Sequence, residues 1–316
     1  MTAGPVVVLA GGVGAARFLR GLVQVVPPEE IIVIGNTGDD MWWHGLYIAP
    51  DLDTVTYWLG GVADEARGWG IRGDTFVAQA AFERLAERSW FQLGDRDLAT
   101  HLYRTGRLTA GAPLHLVTAE IAEGFGVRSR ILPMSDEPVE TRIKTDAGDL
   151  HFQEYFVRER CRPAVREIYW TGLELARPAP GVADALAAAR AILIAPSNPS
   201  ISIGPILRVP GLRSLVAQAR QRTVAVSPLI GGRAVKGPSV PLMQAEGIRP
   251  DALGVAELYR ELASGIVLDR EDASLAAAIA ELGYRVAVRP TMLDDVSMAR
   301  EVARAALDVL KQPAAA

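Results

Sequence analysis

With one cysteine, Cys161, in 316 residues, the chain cannot form an intramolecular disulfide or a metal site built on several thiolates. Such sparing use of thiols fits a reducing compartment, the cytoplasm. Long apolar runs are missing too: no stretch approaches the ~20 residues that a membrane span needs. The first residues lack the basic segment and extended apolar core of a secretory signal. Neither sign of charge is in excess. The 33 Lys and Arg stand against 37 Asp and Glu, a net charge of −4, which argues against a surface built to coat nucleic acid. His44, His101, His115 and His151 show no metal-ligand spacing. There is no tandem repeat, and no low-complexity tract beyond the alanine-rich segment 183–191.

What the chain does have is β/α alternation. Apolar runs at 6–9, 31–34, 131–134, 191–195, 223–226, 265–268 and 286–288 predict strands. The run at 191–195 has no polar alternation, as in a parallel sheet covered on both faces. Apolar residues at three-and-four spacing predict helices over 53–61, 74–88, 97–108, 113–124 and 182–191. From about 135 to 180 the pattern changes. Residues 139–145 alternate apolar and polar, 147–149 read as a turn, and 150–157 read as a partner strand. The expectation is an α/β, Rossmann-like fold: a mostly parallel sheet with helices on both faces, built from 1–134 and 181–316, with a small β-rich insertion at 135–180.

Several motifs sit where strands meet helices. Gly11-Gly12-Val13-Gly14 joins the first strand to a helical pattern. Glycines at such a junction let backbone N–H groups approach an anion that the helix dipole also favours. The run is neither a full G-x-G-x-x-G fingerprint nor a Walker A loop; a tight turn needing positive φ is the alternative, and phosphate contact is favoured because the turn opens a helix at the carboxyl end of the first strand. Asn36, Asp39 and Asp40 follow the second strand, and Asp51 and Asp53 flank Leu52 just beyond. Carboxylates there suit a divalent metal set against a bound phosphate. Turn formation and helix capping are the ordinary uses of the same residues. In Leu93-Gly94-Asp95-Arg96-Asp97, Asp97 suits an N-cap. Arg96 suits either a bidentate phosphate clamp or a surface ion pair of little worth. Pro196-Ser197-Asn198-Pro199-Ser200-Ile201-Ser202 offers neutral donors and acceptors framed by prolines, fit for a nucleobase or a phosphate. Cys161 lies among arginines without a His or acid partner. Trp42-Trp43 is expected to pack rather than to stack on a ligand. Together these features suggest a nucleotide or diphosphate site with its metal.

In their order and number, these segments resemble the 2-phospho-L-lactate transferases of coenzyme F-420 (deazaflavin) biosynthesis. Further carriers of the resemblance are Arg67-Gly68-Trp69-Gly70, Leu132-Pro133-Met134-Ser135-Asp136, His151-Phe152-Gln153 and Ser202-Ile203-Gly204-Pro205. The resemblance implies a Mg²⁺-dependent enzyme that moves a phosphorylated three-carbon acid from its guanosine diphosphate adduct to the deazaflavin Fo and releases GMP. It implies Asp39 as metal ligand and orienter of the attacking hydroxyl, with Asp40 as helper, and Asp53 as a binder of Fo. Gly12, Val13 and Gly14 would line the diphosphate beside Asn36. Ser197, Asn198, Ser202 and Ile203 would hold guanosine, with Ser227 and Pro228 closing that pocket. Gln92 would meet the deazaflavin, although relatives often carry a basic residue near there, and Met134 would wall its ring. The donor acid stays open among phospholactate, phosphoenolpyruvate and phosphoglycerate. A homodimer is the base-rate expectation. The alternative is a binding and regulatory protein of a related family that takes nucleotide sugars. A nicotinamide oxidoreductase is disfavoured by the incomplete glycine fingerprint.

Overall fold

The computed structural model describes residues 4–85 and 90–313. In chain order its strands are β1 (Val6–Ala10), β2 (Ile31–Gly35), β3 (Met41–Trp43), β4 (Leu46–Ile48), β5 (Arg130–Pro133), β6 (Glu140–Thr145) and β7 (Gly148–His151), followed by β8 (Val165–Thr171), β9 (Ala191–Ile194), β10 (Thr223–Val226), β11 (Leu229–Ile230), β12 (Arg233–Ala234), β13 (Gly265–Leu268) and β14 (Arg285–Val288). Seven of them form one sheet in the order β14-β13-β10-β9-β1-β2-β5, with every neighbouring pair parallel.

The sheet is covered on both faces, so its strands bury consecutive residues rather than alternate ones. Val7, Leu9, Ile192 and Ile194 pack with Val182, Leu212, Val216 and Val255 from the helices of one face. Val6, Val8, Ala191 and Leu193 pack with Phe18, Leu19, Val55 and Val302 on the other. The first five helices are α1 (Gly12–Leu22), α2 (Pro50–Leu59), α3 (Val77–Phe82), α4 (Asp95–Thr109) and α5 (Leu114–Gly124). No helix among the described residues is long and apolar enough to cross a membrane.

The winding decides where a ligand can enter. The chain begins in the middle of the sheet with β1 and adds β2 and β5 on one side. It then crosses back to lay β9, β10, β13 and β14 on the other. β1 and β9 are therefore the neighbours at which the winding reverses, and the crevice beyond their carboxyl ends is the usual binding position in open α/β sheets.

Local expectations fail in instructive places. Residues 150–157 do not run on as one strand: β7 stops at His151 and a π-type turn follows over Glu154–Arg158. Phe152 and Tyr155 fall on one side of that turn and pack with Ile143 and Ile168. The third strand of this small antiparallel sheet, β8, lies beyond the arginine-rich stretch that obscured its alternation. The helix expected over 74–88 is short, Val77–Phe82, and residues 86–89 lie outside the described ones. The helix expected from Asp53 begins at Pro50, which puts Asp51 and Asp53 inside its first turn. Neither is its N-cap, which is Ala49. Asp97 does not cap α4 either. Asp74, from a distant loop, accepts the N–H groups of Arg96 and Asp97 at 2.8 and 3.0 Å and satisfies that end.

Candidate active site

Three segments close on the end of β1. A Cβ on Gly11 would stand 2.4 Å from Asp51 Oδ2 and 2.8 Å from Ser202 Cβ. One on Gly14 would stand 2.3 Å from the Pro196 carbonyl oxygen. Gly12 opens α1 at φ +70, a conformation that L side chains rarely take. At Gly11 and Gly14, an acid, a serine and a proline turn take the space that a side chain would need. The Gly11 N–H reaches Ser197 Oγ at 3.4 Å across the β1–β9 crevice.

Asn36 ties the acids together. Its Nδ2 donates to Asp39 Oδ1 and to Asp51 Oδ2, each at 2.9 Å, and to the Ile201 carbonyl at 3.2 Å. Its Oδ1 accepts the Gly38 N–H at 2.8 Å. Two N–H groups thus serve three acceptors, so at least one bond is shared. The other oxygen of Asp39 accepts from Gln153 Nε2 at 2.9 Å. Tyr47 donates its hydroxyl to Asp40 Oδ2 at 3.1 Å, and Asp40 Oδ1 is buried with no hydrogen-bond partner.

Asp39, Asp40 and Asp51 are all buried. Burial, then the charges of Asp51 and Asp40, lift the Asp39 pKa well above the carboxylate range. Burial lifts Asp40 too, against the opposing pull of Arg104 and Tyr47. Asp51 is pushed up to about 6 by burial, with hydrogen bonds from Asn36 and the Gly12 backbone working the other way. Like charges sharing a dry site resist joint ionisation unless a cation joins them. No three His, Cys, Asp or Glu side chains among the described residues form a ready-made metal cage. Mg²⁺ does not ask for one: it commonly takes one or two carboxylates and completes its octahedron with water and substrate phosphate. The Asp39–Asp51 pair on one amide, with the orphaned oxygen of Asp40, fits that demand.

Asp53 lies beside this cluster but is engaged elsewhere. Arg104 Nη1 donates to its Oδ2 at 3.0 Å and Nη2 to its Oδ1. His101 Nδ1 stands 3.2 Å from Arg104 Nη1, and Tyr57 donates its hydroxyl to Asp97 Oδ1 at 2.6 Å. This buried polar network was missed from the sequence, yet it left a signal. Asp97, His101 and Arg104 recur at four-and-three spacing, so a charged stripe faces inward on α4 where an apolar one is usual.

The remaining predicted residues divide. Ser197 and Ser202 border the glycine turn, and Val13 lies in its first helical turn. The Asn198 side-chain oxygen caps the turn over Pro199–Ile203, accepting from the Ser200 and Ile201 N–H groups at 2.9 and 3.3 Å. Ile203 and Met134 are fully buried in the core, so neither offers a face to a ligand in this state. The Ser227 hydroxyl donates to the Leu229 carbonyl at 3.2 Å, and Pro228 is half-buried beside it. Gln92 and Arg96 are exposed, and the Arg96 guanidinium reaches the Arg72 carbonyl at 3.4 Å rather than the aspartates. Lys236, not foreseen, donates to the Arg67 carbonyl at 3.2 Å and ends beside Gly68, against which Val13 of α1 also packs. Loss of water around its ammonium, then Arg17, lowers its pKa. Cys161 is inert, its thiol pushed up to about 11 by burial.

The family model of the 2-phospho-L-lactate transferase CofD matches residues 6–307. The chain belongs to the CofD family. The chain is a transferase of that family. The chain is 43% identical over 316 residues to a phosphoenolpyruvate transferase of Streptomyces griseus, covering 97% of this chain and 98% of that one. It is 39% identical over 297 residues to a 2-phospho-L-lactate transferase of Methanosarcina mazei, covering 94% and 97%. A crystal structure of an upf0052 family member from Bacillus halodurans superimposes with a TM-score of 0.62 at 19% identity, covering 97% of this chain and 99% of that one. At that identity the likeness speaks for the fold alone.

Proposed function

We propose that this enzyme transfers a phosphorylated three-carbon acid from its guanosine diphosphate adduct to the terminal ribityl hydroxyl of the deazaflavin Fo, releasing GMP, in coenzyme F-420 biosynthesis. The carrying observation is the pair of buried carboxylates, Asp39 and Asp51, held on Asn36 and facing the glycine turn. Family membership supports the reaction class. Relatives named phosphoenolpyruvate transferase, at 40–45% identity, stand somewhat nearer than those named 2-phospho-L-lactate transferase, at 37–39%. Phosphoenolpyruvate is therefore the expected acid.

The step forms a bond from the Fo hydroxyl oxygen to the phosphorus bearing the acid and breaks that phosphorus's bond to the GMP oxygen. Little covalent help is needed; positioning and charge neutralisation carry most of the rate. Mg²⁺, held by Asp39 with Asp51 or Asp40, would neutralise the diphosphate as charge moves to the leaving group. The N–H groups opening α1 and the cations of Lys236 and Arg17 add positive potential on the other side. Asp39, in its ionised form beside the metal, would orient the Fo hydroxyl and accept its proton. Asp53, locked on Arg104, fixes the wall on which Fo would lie. Ser197, Asn198 and Ser202 would contact guanosine, with Ser227 and Pro228 at the pocket's edge.

Purified protein with Mg²⁺, Fo and each of the three guanosine diphosphate adducts, followed by mass spectrometry, tests this. Fo enlarged by one phosphoacid with equimolar GMP is the expected product. Tight nucleotide-sugar binding without product from any donor would replace the reading with a regulatory one.

A further inference from the structure

Behind the Pro199–Ile203 turn, on the side away from the glycine turn, lies a second cavity of about 100 Å³. At ~30 Å³ per water it holds on the order of three waters, or one tetrahedral oxyanion. Its polar lining comes from Arg208, Arg213 and Tyr259, and Pro199 and Gly204 form part of its wall.

Each of these groups has unmet capacity. Tyr259 is 2% exposed and its hydroxyl has no hydrogen-bond partner. A buried donor left unmade is unfavourable, so such groups usually face water or a ligand. The comparison within the chain is Tyr284, equally buried, whose hydroxyl donates to the Ala256 carbonyl at 2.8 Å. Arg213 has no carboxylate partner among the described residues. Arg208 lies 3.7 Å over the Trp170 ring and gives Nη2 to Glu246 at 3.3 Å. That leaves Nη1, and the backbone makes room for it. A Cβ on Gly204 would stand 2.8 Å from Arg208 Nη1 and 2.9 Å from the Pro199 carbonyl. Gly204 has helical φ of −53, so the glycine there answers to space, not to backbone conformation.

We propose that this cavity is a second anion site, which takes a small tetrahedral oxyanion of the inorganic phosphate class between the Arg208 and Arg213 guanidiniums and the Tyr259 hydroxyl. Guanidinium forks and a phenolic donor match phosphate oxygens in geometry and charge. Glu246 neutralises Arg208 in part, so Arg213 supplies the unopposed charge. The site shares one wall with the catalytic crevice. The Ile201 carbonyl and Ser202 of the same turn face Asn36 and Gly11, while Pro199 and Gly204 face the cavity.

Calorimetric titration of the full-length protein with inorganic phosphate at constant ionic strength, against chloride, reads this directly. One saturable site per chain is expected, weakened tenfold or more by Arg213→Ala and by Tyr259→Phe, and unchanged by Lys236→Ala. Tyr259→Phe keeps the ring, and Arg213 is exposed, so both variants should fold. Absence of saturable binding overturns the proposal. So does binding that both cavity variants leave intact, or that only Lys236→Ala removes, which would assign the anion to the glycine turn. Transfer activity is not read, so a failed Proposed function leaves this outcome unaffected.

Discussion

At the scale of single residues, function and stability pull Asp51 in opposite directions. Its pKa of about 6 in the fold exceeds the ~3.9 of an unfolded chain, so the folded state holds the proton longer. Stability from this group is therefore complete below about pH 4 and falls as pH rises through 6, by about 2–3 kcal/mol. Asp51→Asn should raise the urea midpoint of metal-free protein at pH 8, narrow that advantage at pH 4, and reduce transfer severely. A variant no more stable at pH 8 would refute the burdened-carboxylate account. Asp39→Asn should lower kcat by about 10²–10⁴-fold, the span of a lost general base, while melting no lower than the parent protein at pH 8. Full turnover at saturating Mg²⁺ would remove Asp39 from the chemistry. The acids themselves were legible in the sequence. Which of them meet was not, because Asp51 and Asp53 differ by two positions on α2 and so point to different partners.

At the scale of elements, two unforeseen contributions stand out. The inward polar stripe of α4 commits Arg104 to Asp53. Breaking a buried ion pair commonly removes about 3–5 kcal/mol, so Arg104→Ala should lower unfolding free energy by that order, and Arg104→Lys should recover little because the bidentate fork is lost. Equilibrium urea unfolding decides it. The small sheet of β6, β7 and β8 is no appendage: the Thr141 N–H reaches the Gly38 carbonyl at 2.5 Å, His151 Nε2 stands 3.2 Å from the Asp40 carbonyl, and Gln153 holds Asp39. Gln153→Leu should reduce kcat tenfold or more with little change in KM, and Gln153→Asn should recover only part. A change confined to KM would make Gln153 a binding residue instead of a positioning one. The His151-Phe152-Gln153 string was visible as a motif, but only the fold shows that it ends on an acid 114 positions away.

At the scale of the molecule, the parallel core was the most legible part. Buried strands such as β1 and β9 declare themselves by unbroken apolar runs, with a glycine turn at the carboxyl end of β1 and a proline-framed turn at that of β9. The short hairpin of β3 and β4 and the strand β8 were not legible, because three-residue strands and arginine-rich alternation carry little periodic signal. The assembly is expected to be a homodimer, which light scattering across a concentration series would confirm or replace with a monomer.

The Ala179 N–H donates to the Met134 carbonyl at 3.2 Å, so the chain leaves the core and returns to it at nearly one point. A segment with adjoining ends can be exchanged during evolution without rethreading the sheet, since a closed detour tolerates changes in length at slight entropic expense. Because that detour also supplies the amide that grips Asp39, recombination there would change the surroundings of that acid in a single event.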